Sequence, residues 1–450
     1  MHSEILGTSA LWGSIASGKL DPRSSDIAGE KKRKNPISRL NRRSFLAACA
    51  VATSRSLFSK GLTAAVPEKE RWVLVERVAR EISYLTPLGE FRMLGRGSPP
   101  PYKLSREKRK EVGLTPETWY LEVVPDTSSG AVVENPLCKE RGNALSWKRL
   151  MALAEKHAIR FLHIMSCTNG RRPFGMGLWE GVPLREVIRI ARPRANVRRV
   201  YYWGYHNNDP KQKFQASLSL ERVLEEPPEE LPVILCYKLN GKFLTPKGGA
   251  PVRMFVPGLY GNRSVKWLQK IVLTNDYKAN DTYAGWNNDV ESHLKTWACF
   301  LNVPKRVKAG EIFAVSGIAQ VGMSGLKKVQ CWLSPKGAAR PAGDPYFQRA
   351  PWKDACLLGP PENWGGGLPG GKLPPGTLGI DPASGKPEVW PMRWTAAYWV
   401  YVLRAPQPGE YVLRCRTIDC KGRAQPLPRP YRKSGYNAIQ AAKITVVSEA

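Results

Sequence analysis

A cysteine and two arginines follow a short apolar segment, and together they could hold a reactive group. Residues 159–164 predict a buried strand, and Cys167, Arg171 and Arg172 come after it around a turn. Thiolate is the reactive form of cysteine and a soft ligand for transition metals, and nearby guanidinium charge favours it. Taken alone, Cys167 also fits the commoner role of a small buried thiol, so both interpretations stay open.

The chain is strongly basic. Its 450 residues carry a formal net charge of +31, which makes nucleic acid the first class of partner to consider. The basic residues are scattered, apart from residues 31–34, and no RNP-like aromatic motif or zinc-finger spacing collects them. We therefore expect no nucleic-acid partner, and the charge fits an anionic substrate or an acidic partner instead.

The first 65 residues resemble an export signal. Arg42 and Arg43 precede a short apolar stretch that extends to Ala52, and residues 63–65 form a small-residue end. This arrangement resembles a twin-arginine leader and predicts a periplasmic or otherwise exported protein. A disordered basic arm is the alternative. No segment approaches the roughly 18 consecutive apolar residues of a membrane span, so we expect no such span.

Two regions of different pattern follow this leader. Residues 66–295 alternate helical and strand patterns, which predicts a mixed α/β domain of open topology. Residues 296–450 alternate strands with turns, the pattern of an immunoglobulin-like β-sandwich. Within the sandwich, residues 359–386 are rich in glycine and proline and predict a long surface loop outside any core. The predicted fold class is therefore α+β.

Five ordered motifs resemble the sulfite oxidase family of molybdenum enzymes. They are "CTNGRR", "GLWEGVPLREVI", "SLERVLEE", the segment "PVRMFVPGLYGNRSVKWL" within residues 235–271, and "YNAIQ" near the end of the chain. The resemblance covers most of residues 85–450. It implies a molybdopterin domain followed by the sandwich, and one pyranopterin-dithiolene cofactor whose molybdenum also binds a cysteine thiolate.

The resemblance also implies metal and cofactor residues. Cys167 matches the cysteine that binds molybdenum in the family. The cofactor ends in a phosphate, so positive groups and close backbone approach are expected around it. Without the family, Arg263 and Lys266 would fit a solvated charged surface. The positions that match cofactor-binding residues are Arg171, Arg253, Gly258, Gly261, Arg263, Ser264 and Lys266.

Three residues match the substrate side of the family's site. Arg172 matches an arginine that lines the anion pocket, and Arg96 lies near the place of a second pocket arginine. Arg96 is not followed by the asparagine and histidine that the family has there. A tyrosine is expected near the substrate, and Tyr283 is chosen over Tyr277.

Two further positions depart from the family's pattern. Gly248 stands where the family often has a histidine. Trp399 stands where the second domain of sulfite oxidases lends an arginine to the pocket, and Arg393 is the nearest alternative. Both departures remove positive charge, so a doubly charged oxyanion would be less well neutralised and the substrate stays open.

Three functions fit these observations. The first is oxidation of sulfite to sulfate by two-electron oxo transfer; the chain has no C-x-x-C-H motif, so we expect no haem and an external c-type cytochrome as electron carrier. The second is a sulfur dehydrogenase subunit or a sulfoxide reductase on the same scaffold. The third is a secreted binding protein without cofactor, which the retained cysteine and basic residues disfavour. The family also implies a possible homodimer.

Overall fold

The structure is a computed structural model that describes residues 65–227, 230–338, 343–429 and 433–448. The predicted leader lies outside the described residues except for Ala65, so its assignment stays a prediction. Across the described ranges, no helix has the length and apolar character needed to cross a membrane.

The described ranges contain twenty β-strands. In chain order they are β1 Tyr120–Pro125, β2 Leu145–Ser146, β3 Ile159–Met165, β4 Gly175–Pro183, β5 Arg199–Gly204, β6 Ala216–Ser219, β7 Ile234–Leu239, β8 Lys242–Phe243, β9 Arg253–Phe255, β10 Leu268–Thr274, β11 Trp297–Asn302, β12 Arg306–Lys308, β13 Ile312–Gln320, β14 Lys328–Pro335, β15 Lys353–Asp354, β16 Cys356–Leu357, β17 Thr377–Leu378, β18 Ala396–Arg404, β19 Gly409–Ile418 and β20 Gln440–Val447.

Six α-helices accompany these strands where the structure describes the chain. The third begins at Ser146, whose hydroxyl accepts a hydrogen bond from the Arg149 N–H, and it ends with basic residues that suit the negative end of a helix. The fourth turns an apolar face to the core because its buried residues recur at helical spacing. The helices are α1 Glu68–Glu81, α2 Arg106–Glu111, α3 Trp147–His157, α4 Leu184–Ala191, α5 Leu220–Leu224 and α6 Thr282–Gly285.

Two mixed sheets organise residues 65–294, here called the N-terminal lobe. One has the strand order β2-β1-β10-β5-β6, and the other has the order β17-β3-β4-β7-β8 with β9 also paired to β7. Leu150 of α3 and Val187 of α4 are buried in the same core as Leu121 and Leu235 of the two sheets. This arrangement confirms the mixed α/β character that the sequence predicts.

Residues 297–448, here called the C-terminal lobe, contain two sheets whose strands are mostly antiparallel. The orders are β11-β13-β18-β16 and β12-β20-β19-β14-β15, and their facing sides bury Val315, Trp399, Leu413 and Ile444. The β-sandwich is therefore confirmed, while its immunoglobulin-like type stays a prediction. Trp399 lies inside this core, so it does not take the place of an arginine in a pocket.

The two lobes share an apolar core and belong to one compact unit. Leu162 and Ile164 of β3 are buried together with Trp297, Ile318 and Ala396 of the C-terminal lobe. Apolar burial holds the end of β3, which comes just before Cys167, against the sandwich. The C-terminal lobe therefore helps to position the end of this strand.

The prediction for residues 359–386 is wrong in one respect, because part of this segment joins a core. This segment does not lie free on the surface: Trp364 and Leu368 are buried against Leu85, and β17 pairs in parallel with β3 through Thr377 and Arg160. Its glycines adopt positive φ angles and let the backbone approach closely, while the tryptophan and leucine supply the apolar contacts. The segment therefore completes the edge of the sheet that carries Cys167.

Candidate active site

Cys167 lies in a tight turn at the end of β3. The strand is buried from Phe161 to Met165, and the turn closes with a hydrogen bond from the Gly170 N–H to the Cys167 carbonyl at 3.0 Å. Ser166 and Thr168 are 2% and 1% exposed, whereas Cys167 is only half-buried. The neighbours are therefore anchored while the thiol between them stays accessible.

Arg96 and Tyr283 lie beside this thiol. The Tyr283 hydroxyl is 3.4 Å from the Thr168 hydroxyl. The Arg96 guanidinium lies 4.2 Å from the centre of the Phe214 ring. Burial lowers the pKa of Arg96, against the opposing effect of Tyr283 and Cys167 nearby. The structure thus brings together three residues that are far apart in the sequence.

Burial keeps Tyr283 in its neutral form. Burial raises the pKa of Tyr283, although the Thr168 hydroxyl and the cations Arg263 and Arg96 act in the opposite direction. A neutral phenol can donate a hydrogen bond to an anion, whereas a phenolate would repel it. Tyr283 is therefore suited to bind a substrate oxygen.

Arg171 and Arg172 lie at the surface beside the C-terminal lobe. The Arg171 guanidinium is 6.0 Å from the centre of the Tyr436 ring. The backbone carbonyl of Arg171 accepts a hydrogen bond from the Gln440 side chain at 2.6 Å. Burial raises the pKa of Cys299 to about 12, and Arg172 is the charge that opposes this shift. The roles of both arginines in cofactor and substrate binding stay predictions.

Arg253 places a positive charge in the interior. Its guanidinium donates to the carbonyl groups of Gly248 at 3.2 Å and Ser264 at 2.7 Å, and its Nε–H has no partner. Burial lowers the pKa of Arg253 to about 10. Ser264 supports this arrangement because its hydroxyl accepts a hydrogen bond from the Val256 N–H at 3.1 Å.

Arg263 is also buried, but an acidic residue neutralises it. The guanidinium forms an ion pair with Asp281 and donates to the Val290 carbonyl. Asp281 in turn accepts the backbone N–H groups of Tyr283 and Ala284 at the start of α6, at 3.0 and 3.1 Å. The geometry makes Arg263 a residue that positions Tyr283, and its predicted contact with a cofactor stays untested.

The two predicted glycines pack against the strand that carries Cys167. Gly258 has a φ of +77° and donates its N–H to His163 of β3 at 2.9 Å. A Cβ atom at Gly261 would lie 2.9 Å from the Met165 sulfur and 3.2 Å from the Ser166 carbonyl. A side chain at either position would strain the backbone or displace the turn that carries Cys167.

Comparisons with known proteins identify the scaffold. The sequence profile described as oxidoreductase molybdopterin binding domain matches residues 112–282. The solved sulfane dehydrogenase SoxCD from Paracoccus pantotrophus superposes with a TM-score of 0.52 at 16% identity, covering 88% of this chain and 94% of that one. Residues 112–282 are therefore a molybdopterin-binding oxidoreductase domain. The predicted resemblance to the sulfite oxidase family, the fold class and the enzyme class are confirmed.

The curated relatives share one segment with this chain. A nitrate reductase [NADPH] from Beauveria bassiana is 33% identical over 111 residues, which cover 25% of this chain and 12% of that relative. The nitrate reductase [NADH] 1 of Arabidopsis thaliana is 36% identical over 102 residues, 22% of this chain and 11% of that relative. The chain thus spans about an eighth of the length of these relatives.

The buried Arg253 and the half-buried Lys266 fit a molybdopterin cofactor. Within the described ranges, the ion pairs include neither Arg253 nor Lys266. The Lys266 ammonium donates to the backbone carbonyls of Leu94 and Lys247, which carry no full charge. An uncompensated buried charge is costly, so an anionic ligand such as the cofactor's phosphate would stabilise this cluster.

His206 extends the cluster and was not foreseen from the sequence. Both ring nitrogens are buried without a hydrogen-bond partner. Burial, together with the charges of Arg96 and Lys266, lowers the pKa of His206 to about 4. Its position just past the end of β5 was the available signal, since Cys167 follows β3 in the same way. A neutral imidazole here can donate to or accept from a bound group.

A lysine from the C-terminal lobe reaches the same region. The Lys433 ammonium lies 5.8 Å from the Tyr283 ring centre and 5.2 Å from that of Trp286. Arg393, the nearest alternative considered from the sequence, lies near Glu230 instead. Burial raises the pKa of Glu230, and the charge of Arg393 opposes this rise. The second lobe therefore lends a cation to the site, but from a different element than the family pattern suggests.

The pKa of Lys266 predicts how the stability of the cofactor-free protein depends on pH. Burial lowers this pKa to about 7, helped by Arg253 and Lys247, whereas an unfolded lysine titrates near about 10.4. Between these values the unfolded chain binds more protons than the folded protein, so the free energy of unfolding rises from pH about 7 to about 10. Below pH 7 the folded protein bears the full cost of a charged Lys266. We expect Lys266→Met to remove this rise; parallel profiles of melting temperature against pH in variant and wild type would contradict it.

Proposed function

We propose that the chain oxidises sulfite to sulfate by two-electron oxo transfer at a molybdenum cofactor. The supporting observation is an accessible thiol, Cys167, beside the neutral phenol of Tyr283 and the cation Arg96. Lys433 adds a second cation next to the Tyr283 ring. Cations near a thiolate ligand favour the approach of an anion to the metal. The net reaction takes up one water and releases two protons and two electrons for each sulfite.

The chain's residues divide between cofactor and substrate. Cys167 would bind molybdenum, and Arg253, Lys266 and His206 would hold the anionic part of the cofactor. When bound, the molybdenum centre supplies two-electron redox change and transfer of an oxygen atom. The protein's own part is to bind the substrate in the correct orientation and to balance its charge.

Arg96 and Tyr283 carry the substrate contacts in this proposal. Partial burial of Arg96 against Phe214 removes water from the guanidinium and strengthens its attraction for an oxyanion. The Tyr283 hydroxyl, placed by Thr168, donates to a substrate oxygen. Reduced enzyme then passes its electrons singly to an external c-type cytochrome, a separate protein.

A second candidate substrate class is a bulkier sulfur compound. Trp286 is 53% exposed, and its ring lies 6.2 Å from Tyr283 and 6.4 Å from Phe214. This aromatic wall beside Cys167 would contact an apolar group that sulfite does not have. It favours a reduced sulfur species or a sulfoxide on the same scaffold.

One experiment separates these candidates. Protein purified from a host that makes the cofactor is expected to contain about one molybdenum per chain and to reduce two ferricyanide ions per sulfite. Molybdenum with turnover only on reduced sulfur compounds, or reduction of an aryl sulfoxide by reduced viologen, would favour the second candidate. Protein without molybdenum would contradict both and support a binding protein.

Lys433 provides a prediction about substrate charge. We expect Lys433→Ala to raise the KM for sulfite about tenfold, equivalent to about 1.4 kcal/mol, and to change kcat less than twofold, because the lysine attracts the anion without contacting the metal. Steady-state kinetics at low ionic strength provide the measurement. Lys421→Ala, an exposed lysine of the same lobe, is the control. An unchanged KM would remove Lys433 from the anion site.

We further propose export of the folded chain through its first 65 residues. Replacement of Arg42 and Arg43 by lysine is expected to leave the protein in the cytoplasm of a bacterial host, because the paired arginines are what a twin-arginine system reads. Fractionation with an antibody measures the location. Equal periplasmic amounts of the variant and wild type would contradict this route.

A further inference from the structure

The two residues on either side of Cys167 are held by the C-terminal lobe. Ser166 precedes the thiol, and its hydroxyl donates to the side-chain carbonyl oxygen of Gln320 at 2.5 Å. Thr168 follows the thiol, and its backbone carbonyl accepts the Tyr436 N–H at 2.7 Å. Both partners belong to the sandwich, so the turn that carries Cys167 is bounded on both sides by the same lobe.

Gln320 has no freedom to adopt another orientation. It is the last residue of β13 and is fully buried, and its amide NH₂ donates to the Lys295 carbonyl at 2.7 Å. That bond directs the carbonyl oxygen of the amide toward Ser166. A hydrogen bond between two buried groups is strong, and loss of either partner leaves the other unsatisfied at a cost of about 1–3 kcal/mol.

The backbone of the turn is fixed from the opposite side. The Ser166 carbonyl accepts the Gly261 N–H at 2.8 Å, a contact within the N-terminal lobe. Ser166 therefore bonds to one lobe through its backbone and to the other through its side chain. Small displacements at such a residue would be transmitted to the adjacent thiol, because the intervening peptide is planar and rigid.

We propose that the C-terminal lobe positions the thiol of Cys167, with Gln320 as the positioning residue. The proposal rests on the proposed role of Cys167 as the molybdenum ligand. A metal ligand must be held to within a fraction of an ångström, and supporting hydrogen bonds provide that precision. The sandwich then contributes to the active site through this hydrogen bond and through the Tyr436 N–H as well as through Lys433.

The test measures the reactivity of Cys167 in full-length protein prepared without cofactor. Iodoacetamide labelling, followed by peptide mass spectrometry, gives the alkylation rate at this cysteine. Gln320→Leu is expected to raise the rate at least about fivefold, because the unpaired serine frees the turn to open. Gln320→Glu should restore a rate within about twofold of wild type, because burial keeps its carboxyl protonated, able to accept from Ser166 and to donate to the Lys295 carbonyl.

Two further variants make the outcome decisive. Gln330→Leu removes a buried glutamine that bonds to Asp354 and Arg416 in the other sheet of the same lobe, and it should not change the rate. Ser166→Ala removes the donor with a smaller change of shape and should reproduce the effect of Gln320→Leu. Equal rates for Gln320→Leu, Ser166→Ala and wild type would overturn the proposal.

A second readout uses protein loaded with molybdenum. The Mo(V) electron paramagnetic resonance g-values report the geometry around the metal, and we expect them to shift in Gln320→Leu and not in Gln330→Leu. Alkylation of the cofactor-free protein requires no substrate, so it tests the positioning role whether or not sulfite is oxidised. Shifted rates with no sulfite turnover would leave the positioning role intact and contradict only the proposed substrate.

Discussion

Replacement of Cys167 by serine is expected to lower turnover by at least about 100-fold. Loss of residues that merely support a metal ligand costs about 10–100-fold, and this change would remove the proposed ligand itself. A serine oxygen is a harder donor than a thiolate, and its hydroxyl gives up its proton far less readily than a thiol, so it suits a sulfur-coordinated metal poorly. Ferricyanide-coupled turnover, with rates expressed per molybdenum, provides the measurement.

The fold should survive this change. Cys167 is half-buried, and its backbone carbonyl accepts the Gly170 N–H in a hydrogen bond that serine retains. The melting temperature of the cofactor-free variant should therefore lie within a few degrees of wild type. Cys420→Ser is the matched control because Cys420 is exposed and free. Retained activity in Cys167→Ser would refute its role as the ligand.

Arg253→Gln is expected to lower cofactor occupancy by about 10–100-fold. A charge-assisted hydrogen bond contributes about 1.5–3 kcal/mol, and the buried guanidinium has no acidic partner in the described part of the chain. Molybdenum content and pterin fluorescence after purification measure the occupancy. Arg253→Lys keeps the charge and should retain most of the cofactor.

Stability distinguishes a binding role for Arg253 from a structural one. Glutamine still supplies a donor for the carbonyls of Gly248 and Ser264, and the substitution removes an uncompensated buried charge. The cofactor-free variant should therefore be at least as stable as wild type against urea. Lost occupancy together with lost stability would instead indicate that Arg253 only holds the fold.

Part of the site could be predicted from the sequence because the motifs are local. Cys167 follows an apolar strand, and Arg253 lies in β9 within a segment whose glycines and basic residues have a specific spacing. In each case a few consecutive residues specify both the element and the side chain. Arg96 and Tyr283 were also placed near the substrate, and the structure brings both beside Cys167.

Other residues could not be predicted because tertiary packing decides their neighbours. Lys433 lies in a loop of the second lobe, and no local pattern connects it to Tyr283. Arg263 was expected at the cofactor, but Asp281, which neutralises it, comes 18 residues later. Composition misled in residues 359–386, where abundant glycine predicted exposure and two large apolar residues decided burial.

The pairing of β17 with β3 has a consequence for biosynthesis. The edge of the Cys167 strand is covered only when Thr377 is present, and the turn after it is bonded only when Gln320, Tyr436 and Gln440 are present. Synthesis must therefore reach at least Gln440 before the pocket can take its final shape. We expect a cofactor to enter only after residues 377–440 have emerged and folded against the first lobe, which makes late folding of the sandwich the step that limits loading.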